Sequence, residues 1–108
     1  MPKGYEVERV AVKDEARIRT AMPKGARLIV LDEQGRDLTT LQFAKLLQSQ
    51  AAFIIGGAAG LSPGTKAQAN AMVRLSSLTL PHALAQVILL EQIYRAATFL
   101  TGHPYHRE

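Results

Sequence analysis

The sequence predicts an α/β domain with a mostly parallel β-sheet and helices on both faces of that sheet. Short apolar segments with the composition of strands alternate along the chain with segments whose apolar residues recur at helical spacing. One short segment, "RLIVL" (27–31), is apolar at every position after Arg27, which is typical of a parallel strand buried on both faces. The chain has 108 residues and no repeat or low-complexity linker, so we expect one domain over residues 1–108.

The first part of the chain predicts a strand followed by a short helix. Residues 5–12 ("YEVERVAV") are β-branched and roughly alternate, although the alternation changes phase near Arg9. This pattern predicts an edge strand or a half-buried strand. A helix follows over "KDEARIRTAM" (13–22), and Pro23 and Gly25 stop it.

The middle of the chain predicts two more strands around a capped helix. The strand at 27–31 ends at a polar turn, "DEQGRD" (32–37). Thr39 and Gln42 have the spacing of a capping box, which predicts a helix that begins there. The apolar segment "AFII" (52–55) is the next strand, and it leads into a glycine-rich turn.

A helix is predicted over "SPGTKAQANAM" (62–72), with Ser62 as its N-cap and Pro63 at its first helical position. The segment "LSSLTL" (75–80) is predicted to be a strand that Pro81 halts. Strands and helices thus continue to alternate, as a parallel sheet requires.

The last predicted helix, from about residue 83 to residue 101, has apolar residues around much of its circumference. In particular, Val87, Leu90, Ile93 and Ala97 cannot all face one core. A small domain has little material with which to cover such a helix, so we expect a homodimer through it.

Composition and charge narrow the functional classes. The chain has no cysteine, which excludes disulfides, thiolate zinc sites and cysteine nucleophiles. Its net charge of +4 favours a polyanionic partner without requiring one. The longest apolar run is short and interrupted by glycines, and the first residues lack the apolar core of an export signal. We therefore expect a soluble, cytoplasmic protein with no membrane partner.

Three motifs carry the chemistry, and each has a plain structural interpretation as well. The glycines of "IIGGAAG" (54–60) follow a buried strand, where they form a tight turn or let the backbone approach a ligand such as a phosphate. Residues 76–81 have two interpretations. They form either a strand whose alternate side chains are polar or a rigid loop that faces the glycines. The tail "HPYHRE" (103–108) is a solubilising end or a functional group. His103 and His106 do not have the spacing of a metal site, and we predict no metal.

Taken together, "IIGGAAGLSP" and "LSSLTLPHALAQVILLEQIYRAATFLTGHPYHRE" resemble the bacterial ribosomal RNA large subunit pseudouridine methyltransferase H family of the SPOUT superfamily. The resemblance extends from about residue 27 to residue 108 and is densest from residue 54 onward. It implies a deep trefoil knot in the C-terminal half and a homodimer. It also implies methylation, with S-adenosylmethionine as cofactor, of a pseudouridine ring nitrogen in the RNA of the large ribosomal subunit.

The resemblance further implies which residues form the site. The residues expected to bind S-adenosylmethionine follow the strands and are Leu31, Gly57, Ser76, Ser77, Leu78, Thr79, Leu80 and Pro81. Three residues of the tail are expected at the active site: His106 as a base, Arg107 as an anion stabiliser or phosphate contact, and Tyr105 as a stacking residue.

The sequence departs from the family in two places. Relatives usually begin with a further strand and helix, so the sheet is expected to be one strand shorter. Ala58 and Ala59 replace residues that are commonly bulkier or charged. Two alternatives therefore stay open beside an RNA methyltransferase: a non-catalytic knotted dimer, and an α/β protein that binds a nucleotide phosphate at the glycines.

Overall fold

Three parallel strands form the sheet at the centre of the structure. The computed structural model describes residues 4–10, 15–56 and 60–102. The strands lie in the order β2-β1-β3, and β1 pairs in parallel with both neighbours. Their bounds are β1 (Arg27–Asp37), β2 (Ala51–Ile55) and β3 (Ala71–Arg74). The predicted parallel sheet is therefore confirmed for this part of the chain.

Helices flank the sheet and alternate with its strands. A single 3-10 turn (Glu15–Arg17) leads into the first helix. The helices are α1 (Ile18–Ala21), α2 (Thr40–Leu46), α3 (Pro63–Ala67) and α4 (His82–Leu100). Of the helices in the described ranges, none is both long and apolar enough to cross a bilayer.

Two of the helix starts that the sequence predicts are confirmed, whereas in the helix predicted over residues 13–22 the described residues form a 3-10 turn until Ile18. The Thr39 side chain accepts a hydrogen bond from the backbone N–H of Gln42 at 3.2 Å, and the Gln42 side chain accepts one from the backbone N–H of Thr39 at 2.9 Å. Ser62 likewise caps α3 by accepting a hydrogen bond from the backbone N–H of Thr65 at 3.3 Å. These caps satisfy backbone donors that a helix leaves without partners at its beginning.

Strand β1 is buried on both faces, as its composition predicts. Leu28, Ile29 and Val30 are at most 1% exposed, although successive residues of a strand point to opposite faces. One face is covered by a cluster that α2 and α4 share, in which the rings of Phe43 and Phe53 stack with centroids 5.5 Å apart. This stacking joins α2 to the sheet at β2.

The predicted strand over residues 5–12 is wrong for the residues that the structure describes, because 5–10 form no strand. Val7 and Val10 are exposed. The change of phase near Arg9 explains the difference, since it leaves no continuous apolar face that could be buried against the sheet.

The predicted turn over residues 32–37 is also wrong, because β1 continues through it to Asp37. The pairing of β1 with β3 shifts register here, and both Leu31 and Arg36 pair with Val73. Gly35 permits the close approach of the strands. A Cβ atom at Gly35 would lie 2.6 Å from backbone atoms of Val73.

Helix α3 is shorter than predicted, and the strand after it comes earlier in the sequence. The chain joins the sheet at Ala71, and the predicted strand over residues 75–80 is irregular. Asn70 determines this start, because its backbone N–H donates to the carbonyl of Leu28 at 2.7 Å and its side chain accepts from the N–H of Leu28 at 2.8 Å. These bonds join residues 42 positions apart, so the local pattern does not reveal them.

We expect Gly35→Ala to lower the free energy of unfolding by about 1–3 kcal/mol, since the new methyl group overlaps the backbone of β3. Gly64→Ala is the matched control, because the nearest atom to its Cβ lies 3.9 Å away. That control should leave stability unchanged or raise it slightly. Urea denaturation measures both, and equal stability of Gly35→Ala and the parent would contradict the close approach of β1 and β3.

Candidate functional site

A cavity of about 460 Å³ lies at the edge of the sheet where β2 and β3 end and where β1 passes through residues 31–33. The carboxyl edge is where ligands bind in open parallel sheets. The cavity is lined by these β1 residues, the end of β2, the segment after β3 and the first turn of α4. We call it the strand-end cavity; its apolar lining residues are Leu31, Ile55, Leu61, Leu75, Leu78, Leu80, Pro81 and Ala85.

The structure brings together five of the predicted cofactor residues. Leu31, Ser76, Leu78, Leu80 and Pro81 all line the strand-end cavity. The segment that carries the last four is a loop and not a strand, which agrees with the functional interpretation of the motif.

The other predicted residues have different positions. Ser77 and Thr79 do not line the cavity. Gly57 lies outside the described residues, as do Ala58 and Ala59. The same holds for all three predicted tail residues, which are Tyr105, His106 and Arg107.

Side-chain hydrogen bonds hold the loop over residues 75–81 in place. The hydroxyl of Ser76 accepts from the backbone N–H of Leu78 at 3.0 Å, which forms a tight local turn. The hydroxyl of Thr79 donates to the Glu33 carboxylate at 3.3 Å and so ties the loop to β1. Leu78 is nevertheless 74% exposed. An apolar side chain is therefore presented at the mouth of the cavity.

His82 connects the first turn of α4 to the glycine turn after β2. Its Nδ1 lies 2.9 Å from the carbonyl oxygen of Gly56, which can only accept, so Nδ1 carries the proton. Its Nε2 lies 3.0 Å from the side-chain nitrogen of Gln86, which therefore donates to it. These two contacts hold the imidazole ring between the end of β2 and α4. Sequence reasoning placed His82 only at a helix start, and the Pro-His pair after the loop was the available signal.

Gly56 itself has little room for a side chain. A Cβ atom there would lie 3.0 Å from the Leu61 side chain and 3.1 Å from the backbone of Gly60. Gly56 therefore packs closely against the segment that precedes α3. This packing brings the backbone of both segments to the cavity wall.

Asp32 provides a charged group at the same edge. Its carboxylate accepts from the backbone N–H of Gln34 at 2.9 Å and forms an ion pair with Lys66 at 2.9 Å. The Gln34 N–H and then the Lys66 ammonium group hold the pKa of Asp32 below its ordinary value. Asp32 is thus charged at neutral pH and links β1 to α3. Sequence reasoning missed it, because its ion pair joins distant parts of the chain.

Within the described part of the chain, no three His, Asp or Glu side chains are grouped so that they could hold a metal ion. The strand-end cavity is lined by apolar side chains, by the Ser76 hydroxyl, by the carboxylates of Asp32 and Glu33, and by the side chains of Arg74 and His82.

Comparison with known proteins identifies the family. The family model described as "Predicted SPOUT methyltransferase" matches residues 2–106. The chain belongs to the SPOUT methyltransferase family. Two similar proteins, both named ribosomal RNA large subunit methyltransferase H, illustrate the relationship. This SPOUT chain is 55% identical to the one from Polynucleobacter asymbioticus, over 98% of its own length and 76% of the relative's. It is 50% identical to the one from Paraburkholderia xenovorans, over 96% of its own length and 70% of the relative's.

Proposed function

We propose that this protein is an S-adenosylmethionine-dependent methyltransferase that acts on the RNA of the large ribosomal subunit. The observation that carries the proposal is the loop over residues 76–81, which closes a cavity at the carboxyl edge of the sheet in a SPOUT chain. The names of its relatives support the RNA substrate. A pseudouridine ring nitrogen is the acceptor that the family resemblance implies, and the cytoplasm is the expected compartment.

The residues of the strand-end cavity fit S-adenosylmethionine. A volume of about 460 Å³ is within the range of small-molecule sites. Leu31, Leu78 and Leu80 offer apolar surface for the adenine ring, and the close packing at Gly56 exposes backbone groups for polar contacts. The carboxylates of Asp32 and Glu33 suit a ligand that carries positive charge. Gly57, Ser77 and Thr79 complete the proposed binding set at the positions that the family implies.

The bound cofactor supplies a methyl group activated by a sulfonium, so the protein mainly has to orient the acceptor and remove its proton. We assign proton removal from the ring nitrogen to His106, because an imidazole exchanges protons near neutral pH. Arg107 stabilises the negative charge on the neighbouring carbonyl oxygens, and Tyr105 stacks on the base. The competing role for these three residues is positioning of the RNA without proton transfer.

We also propose the homodimer and the knot that the family implies. Leu84, Val87 and Leu90 of α4 are 46%, 62% and 43% exposed, which supports an apolar contact surface on that helix. Ile93 and Ala97, in contrast, are buried within the subunit. The predicted interface is therefore narrower than the sequence suggested and is centred on the outer face of α4.

The two alternatives are less well supported. A non-catalytic dimer would not need the cavity, and a protein that binds a nucleotide phosphate would not place Asp32 and Glu33 at its edge. The names of the relatives favour neither alternative.

We expect Leu78→Lys to weaken binding of S-adenosylmethionine at least ten-fold, or about 1.4 kcal/mol, because an apolar contact is lost and a like charge is introduced. Val7→Lys is the control, since Val7 is also exposed and does not line the cavity. Titration calorimetry measures both. The nucleotide alternative would be favoured if the parent protein binds ATP but not S-adenosylmethionine, and if Leu78→Lys strengthens the binding of ATP.

Deletion of residues 105–108 should lower methyl transfer to ribosomes that lack the modification by roughly a hundred-fold, because a base and a charge stabiliser are lost. Cofactor affinity should stay unchanged. His106→Ala and Arg107→Ala divide the effect, and Glu108→Ala is the control. Tritium transfer from labelled cofactor is the assay, and a truncated protein as active as the parent would show that the tail has no catalytic role.

Leu90→Asp should convert the dimer to a monomer, since an unpaired charge in an apolar interface is strongly destabilising. Leu41→Asp is the matched control, because Leu41 is a similarly exposed leucine on α2. Sedimentation velocity gives the outcome directly. A parent chain that sediments as a monomer would remove the proposed dimer.

A further inference from the structure

A second cavity, of about 430 Å³, lies between β1, β3 and α2. Three cationic side chains line it, those of Arg27, Arg36 and Lys45. None of its described lining residues is acidic. We call it the basic cavity. The strand-end cavity, in contrast, has among its described lining residues two carboxylates, Asp32 and Glu33, and one cation, Arg74.

The three cations of the basic cavity have no carboxylate partner among residues 4–10, 15–56 and 60–102. The ion pairs found in those ranges use other cations, namely Lys66 with Asp32, Arg74 with Asp37 and Arg95 with Glu91. Like charges that converge on one cavity repel each other, so the arrangement favours an anion between them.

The polar neutral groups of the cavity are also donors. The amide oxygen of Asn70 accepts from the backbone N–H of Leu28 at 2.8 Å, and the amide oxygen of Gln42 accepts from the backbone N–H of Thr39 at 2.9 Å. These bonds fix the orientation of both amides. Their NH₂ groups are therefore the parts that remain for a ligand. Cations and donors without an acceptor match a phosphate group, to which arginine binds through two parallel hydrogen bonds.

The basic cavity adjoins the strand-end cavity. Val73 lines the basic cavity and the next residue of β3, Arg74, lines the strand-end cavity. Arg74 is already paired with Asp37, whose pKa the hydrogen bond from Arg74 holds below its ordinary value. Arg74 therefore adds no unpaired positive charge to the strand-end cavity, whereas the cations of the basic cavity are unpaired within the described ranges.

We propose that the basic cavity binds a backbone phosphate of the RNA substrate through Arg27, Arg36 and Lys45. This inference rests on the proposed function and adds a contact outside the strand-end cavity. A phosphate held there positions the RNA beside the site of methyl transfer, as backbone contacts position nucleic acids in general.

The test uses two double variants with the same change in charge. Arg36→Gln with Lys45→Gln removes two cations of the basic cavity. Arg9→Gln with Lys24→Gln removes two exposed cations that line neither cavity. Filter binding to large-subunit ribosomal RNA over a range of salt concentrations gives affinity and salt dependence. Calorimetry with S-adenosylmethionine checks the other cavity.

We expect the cavity variant to lose on the order of ten-fold in RNA affinity and to reduce the salt slope by about 0.7–0.9, the effect of one lost phosphate contact. Its cofactor affinity should equal that of the parent, and the control variant should retain most of the affinity and the slope. Equal losses in both variants would show that only net charge matters and would overturn the proposal. Unchanged RNA affinity in the cavity variant would also overturn the proposal. This holds even if the same variant no longer binds inorganic phosphate.

The proposed function is tested separately by methyl transfer to ribosomes. If the cavity variant loses RNA affinity as expected but the parent transfers no methyl group, the phosphate site is supported and the proposed function is wrong. A parent that transfers methyl groups while the cavity variant binds RNA normally would remove the phosphate site alone. A parent that binds no RNA would remove both.

Discussion

The position of β1 is the constraint on which the rest of the structure depends. Leu28, Ile29 and Val30 are buried on both faces of the sheet, and β1 pairs with a neighbour on each side. Such a strand cannot move without breaking hydrogen bonds and exposing apolar surface on both sides. Leu31, in the middle of β1, therefore gives the strand-end cavity a rigid floor, and the loops after β2 and β3 are held in relation to it.

Because of the register shift after Leu31, residues of the same strand, β1, line both cavities. Leu31 lines the strand-end cavity and Arg36 lines the basic cavity, although both pair with Val73. A regular strand would have separated these residues along the sheet. The intervening residues bulge out, and Gly35 lets the backbone return to β3. A local irregularity thus places chemically different side chains next to each other.

The sequence was sufficient for several elements whose signal is local. The capping box at Thr39, the buried strand beginning at Arg27 and the long helix α4 all depend on neighbouring residues, and all three are present. The strand at Ala71–Arg74 was missed because its start depends on hydrogen bonds between Asn70 and Leu28. The family resemblance predicted part of the cavity lining. Asp32 and Glu33 could not be predicted as site residues, since only folding brings Lys66 and Thr79 near them.

The charges of the two cavities divide the proposed ligands between them. Asp32 is held in its charged form by the Gln34 N–H and the Lys66 ammonium group, and the strand-end cavity has the carboxylates of Asp32 and Glu33 in its lining together with Arg74. Among the described residues, every charged side chain that lines the basic cavity is a cation. Between them, Arg74 and Asp37 neutralise each other. A polyanionic RNA is therefore repelled from the carboxylates and attracted to the opposite side of β3, so RNA can occupy the basic cavity without competing for the cofactor cavity.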